Sequence, residues 1–144
     1  MEIFKARDFD GLTVHELYSI VQARCQIFLL EQGIVCQDFD GVDKDSLHCF
    51  LEENGAVVAY LRAYIGEGGD VQLGRVLSVR HGEGLGTRLM REAIPEIRRR
   101  LGQQRIILHA QRHAEGFYKR LGFVTVSEPF LEEGIPHVTM VLEN

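Results

Sequence analysis

The amino-acid sequence predicts an α/β domain in which a mixed sheet of about seven strands is flanked by helices. Three observations carry this prediction. The predicted elements follow the order β-α-β-β-β-α-β-α-β-β, which combines hairpins with two crossover helices. Asn54-Gly55 separates two apolar runs and is typical of a two-residue hairpin turn. An apolar strand, a glycine-rich turn and an amphipathic helix follow one another between Val76 and Leu101.

Length, charge and cysteine content restrict the class of protein. The 144 residues suit one compact domain spanning residues 1–144, and the net charge of -5 argues against a nucleic-acid partner. We expect no membrane partner, because no apolar run is long enough to cross a bilayer and the N-terminus does not resemble a signal peptide. Three cysteines without a Cys-x-x-Cys pair favour reduced thiols and a cytoplasmic location. They are Cys25, Cys36 and Cys49, and we expect packing roles for them, Cys25 lying inside a predicted apolar helix.

The N-terminal third predicts one helix between an edge strand and an acidic loop. Residues 2–5 form the short strand. Thr13 and Glu16 have the spacing of a capping box, which starts a helix that runs to about Leu30. Residues 36–46 are acidic and rich in turn-forming residues, so they predict a loop or a single helical turn.

The remaining strands follow from apolar alternation and bounded apolar runs. In the second strand of the hairpin, Tyr60 and Arg62 face away from the apolar side. They are either part of an ordinary half-exposed strand or the wall of a polar groove. The other predicted elements are strands at 47–52, 56–65, 71–79, 105–109, 123–126 and 137–142, a helix at 110–121 and a loop at 128–136.

The glycine turn is the first candidate functional feature. Gly82, Gly84 and Gly86 alternate where the long helix begins. Unpaired N–H groups at a helix N-terminus attract anions, and glycine lets the backbone approach a ligand closely. The turn therefore predicts a phosphate cradle, with an ordinary tight turn as the alternative. Pro95 within the helix should kink it or end its first segment.

A second segment supports the functional interpretation of the glycine turn. Residues 109–123 read HAQRHAEGFYKRLGF, and together with RHGEGLG at residues 80–86 they resemble the GCN5-related N-acetyltransferase (GNAT) family. The resemblance covers nearly the whole chain and implies a mostly antiparallel sheet. It also implies that the turn binds the pyrophosphate of acetyl-CoA, that the preceding strand pairs with the pantetheine arm, and that the later helix flanks the cofactor. The implied cofactor contacts are Leu77, Ser78, Val79, His81, Gly82, Glu83, Gly84, Leu85, Gly86, Thr87, Gln111, Phe117 and Tyr118.

Several shorter segments narrow the resemblance to the ElaA-like subfamily, whose acceptor is generally not established. They are Glu31-Gln32, Asp40-Gly41-x-Asp43, His48, Gly74-Arg75-Val76, Ala110-Gln111, Phe117-Tyr118 and residues 133–137. One residue departs from the family pattern. His81 stands where the phosphate turn usually opens with Gln or Arg, and a neutral imidazole contacts an anion more weakly.

The resemblance implies roles in acetyl transfer to an amine. A backbone N–H near Val79 would polarise the thioester carbonyl, and Tyr118 would protonate the departing thiolate, with packing as its alternative role. His48 and His137 are candidate bases, although each is open to a purely structural role. Glu31, Glu132 and Glu133 are weaker candidates, and a chain of water molecules could replace a dedicated base.

The sequence thus predicts an acetyl-CoA-dependent N-acetyltransferase acting on a primary amine of a small amine, a polyamine or a protein. The acceptor would enter between Tyr60, Arg62, Gln111 and the 132–137 loop with Glu133, drawn by the acidic residues 38–45 and 132–133. A non-catalytic acyl-CoA sensor or partner-binding module is the alternative. We expect no bound metal, because residues 38–48 lack the spacing of a calcium loop and His109 and His113 span a strand–helix junction. The oligomeric state stays open, with a homodimer as one alternative.

Overall fold

A computed structural model describes residues 1–143. Within that range the chain forms eight strands and three α-helices. The strands are β1 (Ile3–Asp8), β2 (Leu47–Glu53), β3 (Ala56–Ile65), β4 (Val71–Ser78), β5 (Ile106–Gln111), β6 (Val124–Thr125), β7 (Phe130–Glu132) and β8 (Ile135–Leu142). The helices are α1 (Val14–Arg24), α2 (Leu85–Leu101) and α3 (Glu115–Arg120).

All strands belong to one sheet, in the order β1-β2-β3-β4-β5-β8-β6, with β7 paired to β8. Neighbouring strands are antiparallel except β4 and β5, which confirms the predicted mixed, mostly antiparallel sheet. The parallel pair is short. It comprises Val71 opposite Ile106 and Gln72 opposite Ile107, after which the two strands separate. A gap therefore opens in the middle of the sheet.

A bulge in β4 lies at the start of this gap. Arg62 of β3 faces Gly74, but Tyr60 faces Leu77, so β4 carries one extra residue. Arg75 lies in the extra stretch with a φ of 55°. A bulge bends its strand and increases the local twist, which accounts for the departure of β4 from β5.

Helices cover both faces of the sheet. The apolar stripe of α2, from Leu85 to Ile97, packs on one face together with Leu61, Leu108 and Met140. On the other face, Ile20 and Ala23 of α1 and Ile27 of the segment that follows it are buried against Phe50, Tyr60 and Leu77. Both sides of β3 are therefore buried, and the prediction of a half-exposed strand or groove wall is wrong.

The predicted local signals at the first helix and the hairpin are confirmed. Thr13 accepts from the backbone N–H of Glu16, and the Glu16 carboxylate accepts from the N–H of Thr13. Asn54 and Gly55 form a two-residue turn with φ values of 52° and 81°. The first helix differs at its end. Beyond Arg24 it widens into a π-helical segment over Cys25–Glu31, hereafter the wide turn.

Two other elements differ from the prediction. Residues 130–132 form strand β7 inside the predicted loop, because Glu133 (φ 51°) and Gly134 (φ 74°) make a tight turn that pairs β7 with β8. Helix α2 continues through Pro95 instead of ending there. Proline leaves the carbonyl four residues earlier without its helical partner, and that residue, Arg91, is exposed to water.

Candidate active site

The gap between β4 and β5 is a cleft of about 400 Å³. The wide turn and the bulged part of β4 line one wall. The end of β5, helix α3 and the β7–β8 hairpin line the other wall. The cleft receives these predicted site residues: Gln111, Tyr118, Glu133 and His137.

The glycine turn forms the start of α2. Gly82 and Gly84 have φ values of 77° and 74°, and Gly84 caps the helix without a side-chain hydrogen bond. The helical bond nearest the N-terminus runs from the Arg88 N–H to the Gly84 carbonyl at 3.1 Å. The N–H groups of residues 85–87 precede it and have no helical partner, which is the arrangement that receives an anion.

Gly86 contacts helix α3. A Cβ atom at this position would lie 3.3 Å from Cζ of Phe117, so the Phe117 ring would have to move by a few tenths of an ångström to admit a side chain. The Phe117 ring in turn meets the Tyr118 ring edge-on, with centroids 5.0 Å apart. The phosphate turn and the tyrosine are thus coupled through one close contact.

The backbone of β4 differs in one respect from the prediction. The Val79 N–H donates to the Val58 carbonyl at 2.9 Å, so it is not free to polarise a thioester. Leu77 is two residues earlier and pairs with Tyr60 in the same way. Because peptide groups alternate along an antiparallel pair, the N–H and C=O of Ser78 point away from β3 toward the gap. Ser78 therefore offers a backbone edge for a pantetheine arm.

The basic side chains of the turn are held by carboxylates. His81 is exposed, and its Nε2 lies 3.0 Å from Oε2 of Glu31 in the wide turn. The guanidinium of Arg80 is within ion-pair distance of Glu83 in the turn itself and of Glu2 and Glu53 at the edge of the sheet. Next to Glu31, the amide oxygen of Gln32 accepts from Nε2 of Gln111 at 3.0 Å. The residue that follows the wide turn on one wall of the cleft thus binds Gln111 on the other wall.

Tyr118 is the most buried aromatic side chain of the cleft wall, with 7% of its surface exposed. Its ring lies edge-on between the rings of Phe117 and Phe123. Burial raises the pKa of the Tyr118 phenol above its usual value of 10, so the group keeps its proton at neutral pH. A retained proton is what an acid for a thiolate needs.

The β7–β8 hairpin brings a histidine into the cleft. His137 is buried, and its Nδ1 lies 2.6 Å from the carbonyl oxygen of Ile135. Because a carbonyl only accepts, Nδ1 carries the hydrogen and Nε2 is free to act as a base. Glu132 lies 3.6 Å from that Nε2 and 2.8 Å from Nδ1 of His109.

His48, Tyr60 and Arg62 lie outside the cleft, under the 36–46 loop. The Tyr60 hydroxyl donates to Nδ1 of His48 at 2.6 Å, and Nε2 of His48 donates to the Asp43 carbonyl at 2.8 Å. Burial lowers the pKa of His48, which keeps the ring neutral in this position. The structure therefore does not support His48 as a base, nor Tyr60 and Arg62 as acceptor contacts.

Three arginines neutralise the loop that covers these residues. Arg62 binds Asp40 through two bonds of 2.8 and 2.9 Å, Arg24 pairs with Asp38 and Asp43, and Arg75 pairs with Asp38 at 2.7 Å. Residues 38–45 were expected to attract a cationic amine. Because these three aspartates are already paired with arginines, their charges are not free to do so. Arg24 and Arg75 were missed as interacting residues by sequence reasoning. The only available signal was a charged residue within the apolar stripe of α1.

Within residues 1–143 no three or more His, Cys, Asp or Glu side chains cluster as metal ligands would. No helix in that same range combines the length and apolar character needed to cross a bilayer.

The split, mostly antiparallel sheet flanked by helices is the fold of the N-acyltransferases. A sequence profile described as the Acetyltransferase (GNAT) domain matches residues 30–144, and the chain belongs to this family. The subfamily resemblance is also confirmed. The chain is 35% identical over 138 residues to protein ElaA of Escherichia coli K12, covering 92% of this chain and 90% of ElaA.

Solved structures agree with the family. The crystal structure of E. coli ElaA superposes with a TM-score of 0.92 at 32% identity, covering 99% of this chain and 100% of that chain. An acyl-CoA N-acyltransferase from Pseudomonas aeruginosa gives a TM-score of 0.91 at 35% identity, with 99% of each chain covered. An aminoglycoside 6'-N-acetyltransferase complexed with coenzyme A shares the fold at 15% identity, with a TM-score of 0.74 and coverage of 96% and 95%.

Proposed function

We propose that this protein is an N-acetyltransferase that moves an acetyl group from acetyl-CoA directly to a primary amine. The observation that carries the proposal is that the glycine turn lies next to Tyr118, which lines the cleft. The α2 N-terminus opens at the glycine turn, and Tyr118 lies against it through the contact of Gly86 with Phe117. A phosphate site and a protonated phenol are the two groups that a coenzyme A thioester requires.

The cofactor path follows from these groups. The pyrophosphate would accept hydrogen bonds from the N–H groups of residues 85–87, next to His81. The pantetheine arm would pair with Ser78 in the gap and pass Gln111. An aminoglycoside 6'-N-acetyltransferase of the same fold was solved with coenzyme A, which supports coenzyme A as the ligand. Leu77 is not retained as a cofactor contact, because its backbone pairs with Tyr60 and its side chain is buried. The residues retained as cofactor contacts are Ser78, His81, Gly82, Glu83, Gly84, Leu85, Gly86, Thr87, Gln111, Phe117 and Tyr118.

The chemistry proceeds by direct attack. The acceptor enters as an ammonium ion and loses one proton to a base, and the lone pair of the resulting neutral amine forms the C–N bond at the thioester carbonyl. The C–S bond then breaks, and the thiolate takes the Tyr118 proton. The second amine proton restores the phenol, so the products are the amide and free coenzyme A. His137, with its free Nε2 in the cleft, is the retained candidate base.

The acceptor enters beside the β7–β8 hairpin. Glu132 and Glu133 are exposed at this end of the cleft, whereas Asp38 is paired with arginines. A carboxylate-lined entrance favours a positively charged amine, including a polyamine or a lysine side chain.

The test combines binding with turnover. Isothermal titration with acetyl-CoA should give one site per chain, with a dissociation constant in the micromolar range expected of cofactors. A panel of amines assayed for released thiol should then identify acceptors. Absence of heat at millimolar acetyl-CoA would refute the proposal. Binding without thiol release from any amine would favour the acyl-CoA sensor instead.

A further inference from the structure

Three polar side chains from three strands meet at the hairpin end of the cleft. His109 lies on β5, Glu132 on β7 and His137 on β8. Strand β8 pairs with both β5 and β7, and His137 stands opposite Gln111 on one side and Phe130 on the other. The sheet order therefore holds these side chains together independently of the 36–46 loop.

The hydrogen-bond pattern fixes the direction of each group. Nδ1 of His137 donates to the Ile135 carbonyl, so its Nε2 is an acceptor directed at Oε2 of Glu132, 3.6 Å away. Nδ1 of His109 donates to Oε1 of the same carboxylate at 2.8 Å. Each oxygen of Glu132 thus faces a different imidazole.

Phe130 supports both histidines. Its ring meets His109 edge-on with centroids 5.1 Å apart, and it stacks on His137 at 6.1 Å. The aromatic contacts and the His109 bond restrict Glu132 to one side of the His137 ring. An exposed glutamate without such contacts would be mobile and would contribute little.

We propose that Glu132, held by His109, is a positioning residue that stabilises the imidazolium formed when His137 accepts a proton from the ammonium group of the acceptor. The inference rests on the proposed transferase function. The N–H bond of the ammonium breaks, an Nε2–H bond forms on His137, and the free amine keeps its lone pair for attack. The imidazolium and the carboxylate then form a charge pair, and the proton leaves to water through the exposed Glu132.

Other charged groups line the same cleft but face elsewhere. Asp38 is paired with Arg24 and Arg75 on the opposite wall. Glu133 and His113 are exposed beside the entrance, and the Tyr118 phenol is neutral. The thiols of Cys25 and Cys36 lie on the wall formed by the wide turn and the segment after it. Among these groups Glu132 is the carboxylate in ion-pair range of His137.

The decisive variant is Glu132→Gln, because its amide oxygen can still accept from His109 while the negative charge is lost. Glu128→Gln is the matched control, since it removes one exposed carboxylate four residues away. We expect Glu132→Gln to lower kcat about tenfold and leave the acetyl-CoA dissociation constant unchanged. Loss of the nearby anion should move the pH midpoint of kcat/KM downward by about one pH unit. The control should change none of these quantities.

A second measurement does not depend on turnover. The C–H signals of the His137 ring, recorded by NMR in the free protein, should shift in Glu132→Gln and keep their wild-type positions in the control. Unchanged His137 signals in Glu132→Gln would overturn the role of Glu132, whatever the amine panel shows. Failure of the wild type to release thiol would instead overturn the proposed function.

Discussion

Nε2 of His81 lies 3.0 Å from Oε2 of Glu31, across the mouth of the candidate phosphate site. The contact joins the first position of the glycine turn to the last residue of the wide turn. A carboxylate is thereby held where the pyrophosphate of acetyl-CoA is proposed to bind. The negative charge of Glu31 should oppose that binding, while the imidazole of His81 should favour it.

Glu31→Gln should therefore bind acetyl-CoA more tightly. Both side chains are exposed, so the expected gain is about two- to fivefold in the dissociation constant, and it should shrink at high salt. His81→Ala should weaken binding by a similar factor. Isothermal titration at two salt concentrations measures both effects. Glu67→Gln, at the other end of β4, removes the same charge and should have no effect; weaker binding by Glu31→Gln would contradict the placement of the phosphate.

Tyr118→Phe should slow the chemical step without weakening the binding of acetyl-CoA. The variant keeps the packing against Phe117 and Phe123 but cannot protonate the thiolate, so kcat should fall about 10- to 100-fold. The acetyl-CoA dissociation constant should change less than about twofold. Tyr18→Phe, on the exposed side of α1, is the matched control. If Tyr118→Phe kept the wild-type kcat, Tyr118 would have only a structural role in packing.

Thiol reactivity should distinguish the three cysteines. Burial raises the pKa of Cys49 to about 12, and its side chain is fully enclosed, whereas Cys25 and Cys36 are exposed along the cleft. Iodoacetamide at pH 8 should label Cys25 and Cys36 in the native protein and Cys49 only after unfolding.

Saturating acetyl-CoA, which has no free thiol, should slow labelling at Cys25 and Cys36 about fivefold, a factor typical of partial shielding. Peptide mass spectrometry reads each site, and rapid native labelling of Cys49 would contradict the buried placement.

The loop–sheet ion pairs should make stability depend on acidic pH. Hydrogen bonds from Arg62 hold the pKa of Asp40 well below its ordinary value of 3.8. A depressed carboxyl pKa stabilises the fold fully above about pH 4, and this contribution is lost as the pH falls further. Asp40→Asn should therefore lower the free energy of unfolding at pH 7 by about 1–3 kcal/mol. It should also flatten the decline in that free energy as the pH falls below about 4.

Urea unfolding over a series of pH values tests this expectation. Asp45→Asn, exposed at the end of the same loop, provides the control and should keep the wild-type pH dependence. An identical decline in Asp40→Asn and the wild type would show that the Arg62 pair does not contribute to acid stability.

Features that depend on neighbouring residues were predictable from the sequence. The Thr13 capping box, the Asn54-Gly55 hairpin and the glycine turn each need particular residues at fixed spacing, because the local backbone demands them. Tyr118 and His137 could also be proposed as cleft residues, through the family resemblance. The β7–β8 turn escaped because Glu133-Gly134 is not a usual hairpin pair, although Glu133 adopts the same left-handed conformation as Asn54.

Features that depend on distant contacts were not predictable. Strand alternation places Tyr60 and Arg62 on one face but does not indicate that the 36–46 loop covers that face. The pairing of Arg62 with Asp40 spans 22 residues, and that of Glu132 with His109 spans 23. Each requires the sheet order, which periodicity alone does not supply.

The arginine–aspartate pairs under the 36–46 loop also restrict how the sequences of this family can diverge. Asp40 and Asp43 are matched to Arg62 on β3, and Asp38 is matched to Arg24 and Arg75. A transplanted loop that lacked the matching aspartates would leave a buried guanidinium unpaired, at a cost of about 3–5 kcal/mol. The loop and its three arginines should therefore be exchanged as one cassette in protein engineering and should co-vary among homologues.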